Sequence, residues 1–175
     1  VKKWADDDSG TESSETIQGL AVIATNSVDT EDVGVSLGGG AGVGIAANVL
    51  VNLINNTTYA YISDSSINSL ANRGQDVIVR ANQDTESYIA GGGGALGKGG
   101  FTAAVNTGIV NNTTAAYIQD ADSAADLDAV YGTNVEVSTY TREELKILGI
   151  GVAGGKFALS GAAGATKSTS SSHAY

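Results

Sequence analysis

Two aspartates at equivalent positions of this sequence are candidates for acid/base catalysis. Asp64 and Asp120 each lie three residues after a tyrosine. Two carboxylates can carry out acid/base hydrolysis of a glycosidic bond, so a carbohydrate-active enzyme is one hypothesis. Both residues, however, open a connecting segment of variable length, where Asp ordinarily makes Asx turns. We favour turn formation and expect the protein not to be an enzyme.

Other catalytic, metal or cofactor sites have little support. The chain has no Cys and a single His, His173, so thiolate chemistry is excluded and a Ser-His-Asp triad would depend on one residue. The acidic run at 6–8 lacks the spacing of a calcium loop, and we expect it to be solvated. Gly92 to Lys98 matches Gly-x-x-x-x-Gly-Lys, but Gly99 replaces the Ser or Thr of a phosphate loop. We expect no catalytic residue, no metal and no cofactor.

Asparagine and tyrosine residues recur at a spacing that predicts a structural role. Two neighbouring Asn residues and a following Tyr reappear 56 positions later. If equivalent residues stack, their amides can hydrogen-bond along the stack and their rings can pair. The predicted ladder consists of Asn55, Asn56, Asn111, Asn112, Tyr61 and Tyr117. Glycosylation is the alternative for the four Asn residues, because each begins an Asn-x-Thr triplet.

These echoes belong to a threefold repeat. Tyr61, Tyr117 and Tyr175 are 56 and 58 residues apart. Aligning Ala21, Val77 and Val135 as the start of a second echo gives a block of 40 residues in every copy. The connectors between blocks differ in length, which predicts that they lie at surface loops. We divide the chain into repeats at about 4–60, 61–116 and 117–175, within one domain spanning 1–175.

The local patterns within each block favour strands. β-Branched residues alternate at 76–81 and 134–139, as in half-buried strands. Runs of Gly recur at 38–42, 91–95 and 149–155, where small side chains would let two sheets approach closely. Close-packed helices are the alternative for these Gly-Ala segments. We predict an all-β fold, a parallel β-solenoid with a thin Gly/Ala-rich core and two coils in each repeat.

Composition limits the partners. The chain has 19 acidic and nine basic residues, a net charge of −10, so it should repel nucleic acid and anionic lipid. The most apolar stretch, 33–54, is diluted by Gly and Asn and predicts no membrane insertion. Self-association end to end, or with neighbouring repeats of a longer chain, is the expected partnership.

The segment 38–62 resembles repeats of large bacterial filamentous adhesins and haemagglutinin-like exoproteins, closest in style to fusobacterial leukotoxin-type filamentous adhesins. The motif Asn-Asn-Thr-Thr-x-Ala-Tyr-Ile at 55–62 and 111–118 carries this similarity, with Gly-x-Asp/Asn-Val-x-Val after it. The resemblance implies a secreted, extracellular stalk segment at the bacterial cell surface, which could meet a host glycan or surface protein. It departs at 1–14 and in the third copy, at 170–173. A self-assembling filament subunit, joined by strand addition, is the alternative.

Overall fold

The computed structural model of the chain describes residues 2–4, 12–14, 16–71, 73–120 and 128–175. Along these residues there are eight strands and no helix. The strands are β1 Lys2–Trp4, β2 Glu12–Ser14, β3 Gly19–Gly39, β4 Val43–Ser63, β5 Asp76–Leu96, β6 Gly99–Gln119, β7 Val135–Gly154 and β8 Phe157–Ala174. The acidic run at 6–8 lies outside the described residues.

Six long strands form two parallel three-stranded sheets. The first sheet has the order β3-β5-β7 and the second has the order β4-β6-β8. Each repeat therefore contributes one strand to each sheet, joined by a tight turn, and the next repeat adds its strands alongside. The first two strands, β1 and β2, form a separate two-stranded antiparallel sheet. The all-β, parallel part of the sequence prediction is confirmed.

The pairing register corrects two details of the sequence prediction. Val77 pairs with Leu20 and not with Ala21, so the first block is one residue longer than the other two. The extra residue lies in the turn, which has three residues at 40–42 but two at 97–98 and 155–156. The prediction of two coils per repeat is also wrong, because partners in each sheet lie 56 to 58 residues apart along the chain. The Gly-rich runs continue the long strands or form the turn, so they do not divide a repeat into shorter coils.

Side chains between the two sheets differ along the strands. Near the connectors, a buried apolar cluster contains Ala60, Ile62, Val77, Val79, Ala81 and Ala116. Near the turns, the residues that point between the sheets are Gly, Ala, Ser, Thr or Asn, all of which are small or polar. We call residues 33–49, 90–105 and 148–163 the turn region, and the rest of the six long strands the connector region. Small inward residues let the sheets approach closely: a Cβ added to Gly38 would lie 2.0 Å from the Ile45 carbonyl oxygen.

The connectors are short irregular segments. The first includes 64–75, and its Ile67 forms a parallel bridge with Val130 of the second connector. Residues 66–71 contain isolated bridges and a turn. Among the described residues, no helix has the length and apolar character needed to cross a membrane.

Candidate functional site

The two neighbouring Asn residues of each repeat have different environments. Because successive side chains of a strand point to opposite faces, Asn55 and Asn111 lie on the outer face and Asn56 and Asn112 point between the sheets. In the exposed pair, Asn111 Nδ2 donates to Asn55 Oδ1 at 2.8 Å. In the inward pair, Asn56 Nδ2 donates to Asn112 Oδ1 at 2.9 Å. The structure thus brings all four predicted Asn residues together as two separate ladders.

The inward ladder is part of a polar belt that crosses the gap between the sheets. Asn112 is 2% exposed. Its Nδ2 donates to Glu143 Oε1 at 2.6 Å and to Thr85 Oγ1 at 3.2 Å. Gln83, fully buried, accepts a hydrogen bond from Thr58 at 2.7 Å. Paired amides and hydroxyls satisfy one another here, so the belt holds the two sheets in one relative position.

The predicted tyrosine ladder extends over three repeats. The rings of Tyr61 and Tyr117 stack with centroids 5.1 Å apart, and those of Tyr117 and Tyr175 with centroids 5.3 Å apart. Burial of the middle ring, followed by the charges that neighbouring tyrosines would carry, raises the pKa of Tyr117. The Tyr117 side chain is therefore neutral at physiological pH. The rings of the ladder lie on the outer face of the second sheet, where their edges meet solvent.

An ion-pair network lies on the outer face of the first sheet, in the connector region. Arg142 contacts Asp84 at 3.2 Å and Glu144 at 2.7 Å. Lys146 pairs with Glu144 and with Glu86. The Asp84 carboxylate raises the pKa of Arg142, and the hydrogen bond from Lys146 lowers the pKa of Glu144. Glu144 remains ionised, so the network holds the edge strand β7 to its neighbour by charge as well as by backbone pairing.

The residues considered for catalysis lie at strand ends, in a turn or along a strand. Asp64 adopts a left-handed φ of 49° as β4 ends, which Asp tolerates, and its amide donates to the Gln119 carbonyl at 3.1 Å. Asp120 follows Gln119 as β6 ends and is exposed. The segment 92–98 continues β5 into a turn, and another strand follows it. His173 Nε2 lies 2.8 Å from Ser171 Oγ, and no carboxylate hydrogen-bonds to the ring among the described residues.

A shallow apolar groove lies on the outer face of the first sheet, in the turn region. Its volume is about 410 Å³. Gly92 and Gly94 of the central strand form its floor, because they have no side chain to fill the surface. The flanking strands supply its walls, which are Val33, Val35, Leu37, Leu148, Ile150 and Val152. The groove has no polar side chain in its lining, so an apolar occupant suits it.

In comparisons with known proteins, no family model, no curated protein and no solved structure matches this chain.

Sequence reasoning missed the ion-pair network and the apolar outer surface. The network joins Asp84 to Arg142, which are 58 residues apart, so it could be predicted only if the strand register were known. The apolar surface had a signal in the alternation at 43–53, where each odd position is Val, Ile, Ala or Leu. The even positions include Asn48 and Asn52, so the pattern could have indicated that the apolar side was not the interior.

Proposed function

We propose that this chain is a non-catalytic stalk segment of a parallel β-solenoid, part of a secreted, surface-displayed bacterial filamentous adhesin. The observation that carries the proposal is the in-register stacking of three equivalent residues, Tyr61, Tyr117 and Tyr175, one from each repeat. A repeat that stacks on its neighbour without offset can be continued by further repeats, which is how a stalk gains length. Secretion and display rest on the resemblance to filamentous adhesin repeats.

Backbone geometry supplies the mechanical role. Inter-strand hydrogen bonds run along the stacking direction, so a pulling force is shared by two ladders of 18 to 21 paired residues per step. Each added repeat lengthens the stalk by about 4.8 Å. Among the described residues, β3 and β4 at one end and β7 and β8 at the other pair on one side only. Neighbouring repeats of a longer chain would complete these edges.

The outer face of the second sheet, in the connector region, is the surface we assign to host contact. Tyr59 and Tyr61 are both about half exposed there, in one strand with Asn55 and Thr57. Aromatic rings beside amides and hydroxyls suit a host glycan or a polar protein surface. Substituting Tyr59, which is outside the stacked ladder, should weaken such binding without changing the fold.

The test of the stalk is length. A set of proteins is made in which the segment 64–119 is inserted in five and then ten additional copies. Electron microscopy of isolated particles should show rods of unchanged width that grow by about 24 and 48 Å. Particles that grow in width, or that form separate beads, would contradict the stalk. The matched control inserts ten copies of a shuffled 64–119, which should not lengthen the rod.

The second candidate is a filament subunit joined end to end by strand addition. Within the part of the chain that the structure describes, β3, β4, β7 and β8 pair on one side only, which favours this candidate because open parallel edges can accept another copy. In this case the unmodified chain forms fibres as its concentration is raised, measured by sedimentation and microscopy. Along β8 the amides at odd positions face β6, as the Tyr175 amide faces the Ala116 carbonyl, so Ala162→Pro removes a donor from the open edge and should stop fibre growth. A chain that remains monomeric at every concentration tested would exclude this candidate and leave the stalk unaffected.

A further inference from the structure

The turn region has its large apolar side chains on the outside. On the first sheet Leu37 is 84% exposed, and on the second sheet Phe157 is 77% exposed. The same outward direction is shared by other large residues of this region, which are Val33, Val35, Val43, Ile45, Val49, Leu96, Phe101, Val105, Leu148, Ile150, Val152 and Leu159. Exposed apolar patches of several hundred Å² ordinarily mark a site that another surface covers.

The interior of the same region is the reverse of a normal core. Ser36, Asn48 and Thr102 point between the sheets, among Gly and Ala. The Asn106 side chain, just beyond the region, occupies the space above Gly91 and donates to the Leu148 carbonyl at 2.7 Å. Three buried oxygens of these side chains, Asn48 Oδ1, Thr102 Oγ1 and Asn106 Oδ1, have no hydrogen-bond partner among the described residues. The interior of the turn region therefore gains little from burial, whereas its apolar outer side chains are favourable where the surroundings are themselves apolar.

The charged residues are also distributed unevenly along the strands. None of the 19 acidic residues lies in the turn region, whose two charged residues are Lys98 and Lys156. Both lysines lie in the turns, beside the exposed rings of Phe101 and Phe157. On the first sheet, the nearest carboxylate to the turn along β3 is that of Asp32, five residues before Leu37. That distance is about 17 Å, longer than the screening length of about 10 Å at 0.1 M salt.

We propose that the turn region docks on anionic lipid bilayers. Leu37, Phe157 and their apolar neighbours enter the headgroup layer, and Lys98 and Lys156 contact lipid phosphates. Penetration of about 5–10 Å covers the apolar side chains nearest the turns, as for other interfacial anchors. The proposal concerns contact with the membrane surface and involves no spanning segment.

Two observations favour a bilayer over a second copy of the chain. The apolar side chains occupy both outer faces and meet at the turn, and a lipid layer surrounds such an edge from both sides at once. A second copy would cover one face and would bring the lysines of the two turn regions together, where like charges repel. Anionic phosphates complement the same lysines.

The net charge of the whole chain predicts the opposite, repulsion from anionic lipid. The fold changes that expectation, because the carboxylates of the six long strands all lie in the connector region, away from the turns. A docked stalk would therefore keep its acidic part in solvent and orient its connectors away from the membrane.

Vesicle flotation tests the proposal. The full chain is mixed with vesicles of phosphatidylcholine alone, or with 30% phosphatidylserine, at 0.1 M salt. We expect about 10- to 30-fold stronger binding to the anionic vesicles, as two lysines near a charged surface should give. Lys98→Gln with Lys156→Gln should reduce that ratio to about two. The matched control, Thr57→Glu with Thr169→Glu, makes the same change in net charge in the connector region and should keep the ratio.

A second pair of variants separates lipid contact from charge. Leu37→Ser with Phe157→Ser should lower binding to anionic vesicles at least about 10-fold, while circular dichroism and the unfolding midpoint stay unchanged because both side chains are exposed. The chain has no Cys, so single Cys substitutions can carry an environment-sensitive dye. Ile45→Cys should report an apolar environment when vesicles are added, and Thr57→Cys, on the same face of β4, should not.

The outcomes that overturn docking are distinct. Equal binding to neutral and anionic vesicles, or no flotation at all, removes the proposal. Sedimentation of the chain without vesicles, abolished by Leu37→Ser with Phe157→Ser, would show that a second copy covers these faces instead.

Discussion

The turn region and the connector region of this protein solve the same packing problem in opposite ways. In the connector region Val77 and Val79 are fully buried between the sheets, and ion pairs lie outside. In the turn region Gly, Ala, Ser, Thr and Asn lie between the sheets, and Val, Leu, Ile and Phe lie outside. Both have the same parallel pairing. The comparison shows that backbone register, rather than apolar burial, is what the two regions share.

Because the two regions differ in packing, we expect them to contribute to stability in different ways. The connector region has the buried apolar cluster, and removing apolar surface from water is the main favourable term in folding. The turn region depends on the close approach of two backbones, and the buried Asn48 Oδ1 and Thr102 Oγ1 there have no hydrogen-bond partner among the described residues. Four pairs of substitutions test this difference, beginning with the pair whose expected effect on stability is greatest.

Close approach in the turn region is tested by Gly38→Ala. The added Cβ would lie 2.0 Å from the Ile45 carbonyl oxygen, so the backbone of β3 or β4 must move. We expect a loss of about 3 kcal/mol in the free energy of unfolding, measured by urea denaturation. Gly161→Ala is the control, because nothing lies within 4 Å of its Cβ, and it should be neutral or stabilising by up to about 1 kcal/mol. Equal effects would mean that the sheets are not in close contact near the turns.

Apolar burial is tested by making one substitution in each region. Val79→Ala removes two buried methyl groups from the connector cluster and should cost about 2 kcal/mol. Val35→Ala, in the turn region of the same sheet, removes the same groups from an exposed position and should change stability by less than about 0.5 kcal/mol. Thermal and urea unfolding of both variants give the comparison. A large loss for Val35→Ala would indicate that its surface is already covered by another copy in solution.

The same comparison explains how much of the fold could be predicted from sequence. The stacking of Tyr61 on Tyr117 and the pairing of Asn55 with Asn111 follow from the repeat, because identical segments one repeat apart tend to align. The extra turn residue at 40–42 was not recoverable, since a Gly-rich turn and a Gly-rich strand have the same local pattern. One-residue shifts exchange the two faces of a strand, so small errors there matter.

The direction of the apolar side chains was the least predictable feature. Alternation shows that one face is apolar, but it does not say which face is inside. At 43–53 the usual assumption, that the apolar face forms the core, fails because the even positions, which include Asn48 and Asn52, are the ones that point between the sheets. Salt links such as Arg142 with Asp84 required the register as well, since nothing local couples residues 58 positions apart.

The buried and exposed ladders of the connector region should respond differently to loss of an amide. Asn112→Ala leaves the inward groups of Asn56, Thr85 and Glu143 short of a partner, and we expect a loss of about 1.5 kcal/mol. Asn111→Ala removes an amide from the solvent-exposed ladder, where water replaces it, and should cost less than about 0.5 kcal/mol. Urea midpoints with unchanged slopes provide the measurement. Similar losses for the two variants would show that the belt is as open to water as the outer face.

The loss of folding stability at low pH should come from the connector region, because the turn region has no carboxylate. The hydrogen bond and charge of Lys146, with the charge of Arg142, hold the pKa of Glu144 below its ordinary value. A carboxylate with a lowered folded pKa stabilises the protein above its unfolded pKa, and this contribution disappears as the pH falls below about 4. Glu144→Gln should therefore lower the urea midpoint slightly at pH 7 and have less effect at pH 3. Lys98→Gln, in the turn region, should leave the pH dependence below pH 5 unchanged. If Glu144→Gln lowers the midpoint equally at both pH values, its role is hydrogen bonding alone, and the charge network does not distinguish the two regions.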